Sequence, residues 1–83
     1  MTRTVYRPSP EIIQKTREHF AQIHRDCIDG ARRGEWHVND LDRYVEWQEE
    51  CIRSSLAGES DHTLTFLQRA YWLETGESVP LLP

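Results

Sequence analysis

Glycines divide this chain into three stretches of helical period, and that punctuation limits what it can fold into. From Ser9 onward, Ile13, Thr16, Phe20, Ile23 and Cys27 recur three or four residues apart. Ile12, His24, Ile28 and Ala31 widen the stripe, which is the pattern of an amphipathic helix. Ser9 reads as its N-cap, Pro10 as its first helical residue and Glu11 as a carboxylate at the positive end of the dipole. Gly34, after Arg32 and Arg33, reads as its terminator. Gly30, inside this helix, costs about 1 kcal/mol relative to alanine and marks either fraying or close approach of another backbone.

A second stripe runs through Leu41, Tyr44, Val45, Gln48, Cys51, Ile52, Ser55 and Leu56, with Asn39 and Asp42 as a capping pair and Gly58 as the stop. A third runs from a Ser60 or Asp61 cap through Leu64, Leu67, Ala70, Tyr71 and Glu74 to Gly76, with Phe66, Leu73 and Trp72 on its other sides. The fold class expected is all-α: three antiparallel helices over about 10–33, 40–57 and 61–75, or a helical hairpin plus a third helix, in one domain spanning 1–83. Prolines at both ends predict extended arms. Short connections favour antiparallel neighbours and place Cys27 near the middle of the second helix, level with Trp47 or Cys51.

A chain of 83 residues buries only roughly 60–65% of its unfolded surface. Its core is thin, and a second subunit or a partner would help. Ile, Leu, Val and Phe make up under a quarter of the residues, and three tryptophans and three tyrosines supply much of the remaining apolar area. No apolar run approaches the length of a membrane span, and the first residues lack the apolar core of a signal peptide. The expected location is cytoplasmic. There Cys27 and Cys51 are expected as free, small apolar residues rather than a disulfide.

Charge is unevenly divided. Residues 1–37 carry seven basic and five acidic side chains, a balance of +2. Residues 38–83 carry three and nine, a balance of −6. The second half is a poor surface for phosphates, which argues against direct nucleic-acid binding. It suits a basic protein patch, or the first half of a second copy. Asp42, Glu46 and Glu50 stand at four-residue steps beside Asp40 and Glu49. They read as a solvated face or as an acidic docking ridge. Arg25, Arg32 and Arg33 close the first helix instead of opening a recognition helix, with Lys15 and Arg17 further back, and Asp40 and Asp42 follow them.

Chemistry-bearing spacings are absent. His24 and Cys27 share a helix face, but His19, His37, His62 and Cys51 do not complete a zinc set with them. Neither cysteine sits on a glycine-rich turn or at an exposed helix start beside a histidine. No cofactor, metal or catalytic residue is expected, and the chain does not read as an enzyme. The aromatics carry the functional signal, because Trp, Tyr and Arg are the usual interface anchors. The residues expected to touch a protein partner are Tyr6, Arg32, Arg33, Trp36, Tyr44, Trp47, Glu50, Tyr71, Trp72, Leu81 and Leu82.

With its acidic helical middle and its Trp72-Leu73-Glu74-Thr75-Gly76-Glu77 ending, the chain resembles the small proteobacterial antiactivators that hold LuxR-type quorum-sensing regulators inactive. That resemblance implies a homodimer that binds the regulator's ligand-sensing or dimerisation region and prevents productive DNA binding. The alternatives are a structural subunit of a larger assembly, a small nucleic-acid-associated regulatory protein and, behind these, a cysteine-dependent enzyme.

Overall fold

The computed structural model describes residues 6–78 and has three helices: α1 (Pro10–Arg32), α2 (Leu41–Leu56) and α3 (Leu64–Thr75). The described residues contain no strand. At 1.5 Å per residue, α1 is about 35 Å long, α2 about 24 Å and α3 about 18 Å. The two short helices therefore need the whole length of the long one, and they take it. Both pack on α1 and neither packs on the other. Folding back after a short connection, α2 covers the second half of α1. The start of α3 lies beside the middle of α1, where Phe66 stacks on Phe20 with ring centroids 6.2 Å apart. Its end lies beside Tyr6, ahead of α1.

The ends of the helices follow local chemistry. Ser9 Oγ accepts from the Ile12 amide at 3.3 Å, Pro10 opens α1, and Arg32 lies in its last turn. Gly34, Gly58 and Gly76 all take positive φ, the left-handed conformation that stops a helix at least cost in glycine. Two caps differ from expectation. In α2 the cap is Asp40, whose carboxylate accepts from the Arg43 amide at 3.1 Å. Asn39 is engaged elsewhere, since its Oδ1 accepts from His37 Nε2 at 2.8 Å. In α3 the cap is Thr63, which accepts from the Phe66 amide at 3.2 Å, so the helix begins three residues later than the spacing predicts. Asp61 turns instead to Arg17, 44 residues away in sequence.

The core is thin and made largely of small residues: Ala21, Ile28 and Ala31 of α1, Val45 of α2, Phe66 and Ala70 of α3. Thr16 and Gln48 are buried with them. Thr16 Oγ1 donates to the Ile12 carbonyl at 2.6 Å, so its hydroxyl is satisfied inside the helix. The expected stripe of Ile13, Phe20, Ile23 and Cys27 is only half-buried. Thr16 and Ala21, both fully enclosed, lie five residues apart, about 140° around the helix. Because α2 and α3 press on α1 from different directions, burial spreads over a broad face instead of one seam.

Candidate interaction surface

Each of the three indoles is at least 40% exposed: Trp36 at 40%, Trp72 at 42% and Trp47 at 60%. The expected contact residues do not form one patch. They fall into three groups, set by the helices that carry them.

The first group lies at the amino-terminal end of α1. Tyr6 meets Tyr71 edge-on at 5.2 Å, and its hydroxyl donates to Glu74 Oε2. Partial burial, with that carboxylate second, pushes the Tyr6 phenol up to about 12. On the neighbouring side of α3, Trp72 lies 6.3 Å from the His19 ring and under the Arg69 guanidinium at 5.2 Å. His19 Nε2 is buried without a hydrogen-bond partner among the described residues. Burial, and then the Arg69 charge, lower the His19 pKa below its ordinary value, so the neutral imidazole is favoured.

The second group lies at the turn between α1 and α2. Arg32 is exposed, and Arg33 pairs with Glu35 at 3.2 Å. Trp36 folds back so that its six-membered ring covers Gly30. A Cβ built at Gly30 would fall 2.5 Å from Trp36 Cζ3 and closer still to Cη2. The close approach anticipated at Gly30 is therefore made by an indole and not by another backbone.

The third group runs along the outer side of α2. Trp47 tilts against the half-buried Tyr44, with centroids 6.3 Å apart. A shallow depression joins Trp47 to Arg43, Glu46, Glu49, Glu50 and Arg53. Arg53 holds this rim: it pairs with Glu50 at 2.5 Å and with Glu59 at 2.9 Å. Those contacts lower the Glu50 and Glu59 pKa values below the usual carboxylate range and raise that of Arg53. Glu50 is thus half of an ion pair, whereas no salt bridge is recorded for the exposed Asp42, Glu46 or Glu49 among the described residues. Trp47 thus stands exposed inside a charged rim.

Leu81 and Leu82 lie outside the described residues. Like the Tyr6–Glu74 bond, two further long-range polar ties gave no signal in the sequence. One is the Arg17–Asp61 pair. The other is His24 Nδ1 to Gln48 Oε1, 2.7 Å across the α1–α2 seam. This second tie sets the antiparallel register. With residue 24 opposite 48, Cys27 lies level with Val45, and Cys51 with Ala21. The cysteines are then about 9 Å apart along the helix axes, beyond the Cα separation a disulfide spans. Both are free. Burial, and then Glu50, push the Cys51 thiol up from its ordinary value.

Among the described residues no group of three or more His, Cys, Asp or Glu side chains is gathered as a metal site would require. No described helix is long and apolar enough to cross a membrane. Comparison with protein-family models, with curated proteins and with solved structures finds no match to this chain.

Proposed function

We propose that this chain is a non-catalytic protein-binding module that works by presenting indole anchors from a small helical frame. The observation that carries the reading is Trp47, which stands 60% exposed in mid-helix, on a face that neither α1 nor α3 needs. A large aromatic left in water there gives up transfer energy of about 25 cal/mol per Å². A partner surface recovers it. Glu46 and Glu49, exposed beside it, favour a basic partner, and Asp42 adds an exposed carboxylate on the same helix. A homodimer that inhibits a LuxR-type transcription regulator is the concrete form of this proposal, on the resemblance described above, with occupation of the regulator's interface as the mechanism.

The test is affinity capture from native cell extract with the wild-type chain and with Trp47→Ser, followed by mass spectrometry. The reading requires a specific protein, such as a transcription regulator, that the wild type retains and the variant loses. Identical recovery by both chains, or retention of nucleic acid alone, would overturn it. Sedimentation equilibrium checks the homodimer: a mass near twice 9.8 kDa at high micromolar concentration supports it, and a monomer refutes it.

A further inference from the structure

Where the three helices meet, the fold leaves a partly enclosed cavity of about 170 Å³. It lies away from the outer face of α2. Phe20 and Phe66, stacked near-parallel, supply its apolar wall. Arg17, His24, Ser55 and Thr65 supply polar groups. For comparison, an apolar cavity of about 150 Å³ is large enough to take up benzene. This one has room for a single six-membered ring and a small polar substituent.

The polar groups narrow the ligand further. Asp61 binds Arg17 through Nε and Nη2, which leaves Nη1 without a protein acceptor among the described residues. That carboxylate also offsets the guanidinium charge, so the site does not favour an anion over a neutral molecule. His24 Nδ1 donates to Gln48 Oε1, so in the neutral ring Nε2 is the acceptor. No carboxylate lines the cavity. The lining thus offers a free N–H donor, a ring-nitrogen acceptor and an aromatic wall. An aromatic ring bearing one hydroxyl, which accepts from one group and donates to the other, satisfies all three.

We infer that this cavity binds a monocyclic phenol, with its ring on the Phe20–Phe66 wall and its hydroxyl between Arg17 and His24. A free phenol and the side chain of a partner's tyrosine share this chemistry.

Amide chemical shifts of the full chain, followed during titration with phenol, toluene, benzoate and N-acetyltyrosinamide, test the assignment. Phenol is expected to give saturable shifts confined to the neighbourhood of Phe20, His24, Ser55 and Phe66. Toluene should bind at least about tenfold more weakly, because it leaves the polar lining unpaired. Ser55→Leu, which fills the cavity, should abolish the phenol response while keeping the helical circular dichroism. Should that variant fail to fold, the preference for phenol over toluene decides the matter alone. Tighter binding of phenol than of N-acetyltyrosinamide assigns a free small molecule, and the reverse assigns a protein tyrosine. Non-saturating shifts spread over the surface, equal binding of toluene, tighter binding of benzoate, or full binding by a folded Ser55→Leu chain would each overturn it.

Discussion

Gly30→Ala should have opposite effects depending on Trp36, and this tests the packing of the α1–α2 turn. An alanine at position 30 gains about 1 kcal/mol of helix propensity. Its Cβ would also lie 2.5 Å from Trp36 Cζ3 and 2.9 Å from Glu35 Oε2. These separations cannot persist, so the indole must lift. At 40% exposure the ring retains more than half of its possible burial. A large aromatic buries about 150–250 Å², and losing about 60–100 Å² of contact at 25 cal/mol per Å² costs about 1.5–2.5 kcal/mol. The net effect of Gly30→Ala is then a destabilisation of about 0.5–1.5 kcal/mol. With Trp36→Ala in the background, nothing of the indole remains to displace. The same substitution should then stabilise by about 1 kcal/mol. Urea denaturation of the four chains closes a double-mutant cycle with a coupling of about 2 kcal/mol. Equal stabilisation by Gly30→Ala in both backgrounds would refute the seating of Trp36 on α1.

Other outcomes follow from the same geometry. Phe66 is 3% exposed and the largest apolar side chain in the core; Phe66→Ala should cost about 3–5 kcal/mol in urea denaturation. The His19 pKa is lower in the folded chain than in the unfolded one, so below its ordinary value of 6.5 the unfolded chain binds more protons. Stability should therefore fall as pH drops from 6.5 towards the folded pKa, and His19→Leu should flatten that slope in denaturation curves between pH 7.5 and 5. Glu50 and Glu59 act in the same direction at lower pH: their folded pKa values lie below 4.5, and their contribution is lost as pH falls through that range. The Cys51 thiol, raised by burial, should react with iodoacetamide at pH 7.5 more slowly than an unfolded control. Mild oxidation should produce no intramolecular disulfide with Cys27.

The three helices and their glycine stops were legible because both signals are local. A period of three and four needs only neighbouring residues, and a glycine with positive φ stops a helix with no help from elsewhere. The Ser9 cap of α1 was legible to the residue, those of α2 and α3 only to within a few residues. Asn39 and Asp61 have good capping side chains, but His37 occupies one and Arg17 the other. Arg17 lies 44 positions away from Asp61, and no local pattern announces that pairing. For the same reason the junction cavity was hidden: Arg17, His24, Ser55 and Thr65 converge only after three helices have docked. Gly30 did signal a close approach, without revealing that Trp36 makes it. The surplus of aromatic side chains over core volume could be counted in advance. Which of them stay outside depended on α2 and α3 sharing α1 end to end, and not closing on each other.

Acrylamide quenching of tryptophan fluorescence, at concentrations where the chain is alone in solution, tests most directly whether the folded molecule leaves its indoles available. Ready quenching of all three, with Trp47 the most accessible, is the predicted result, and bound partner should protect Trp47. Well-shielded, blue-shifted emission from an isolated, folded monomer would contradict the account at its base.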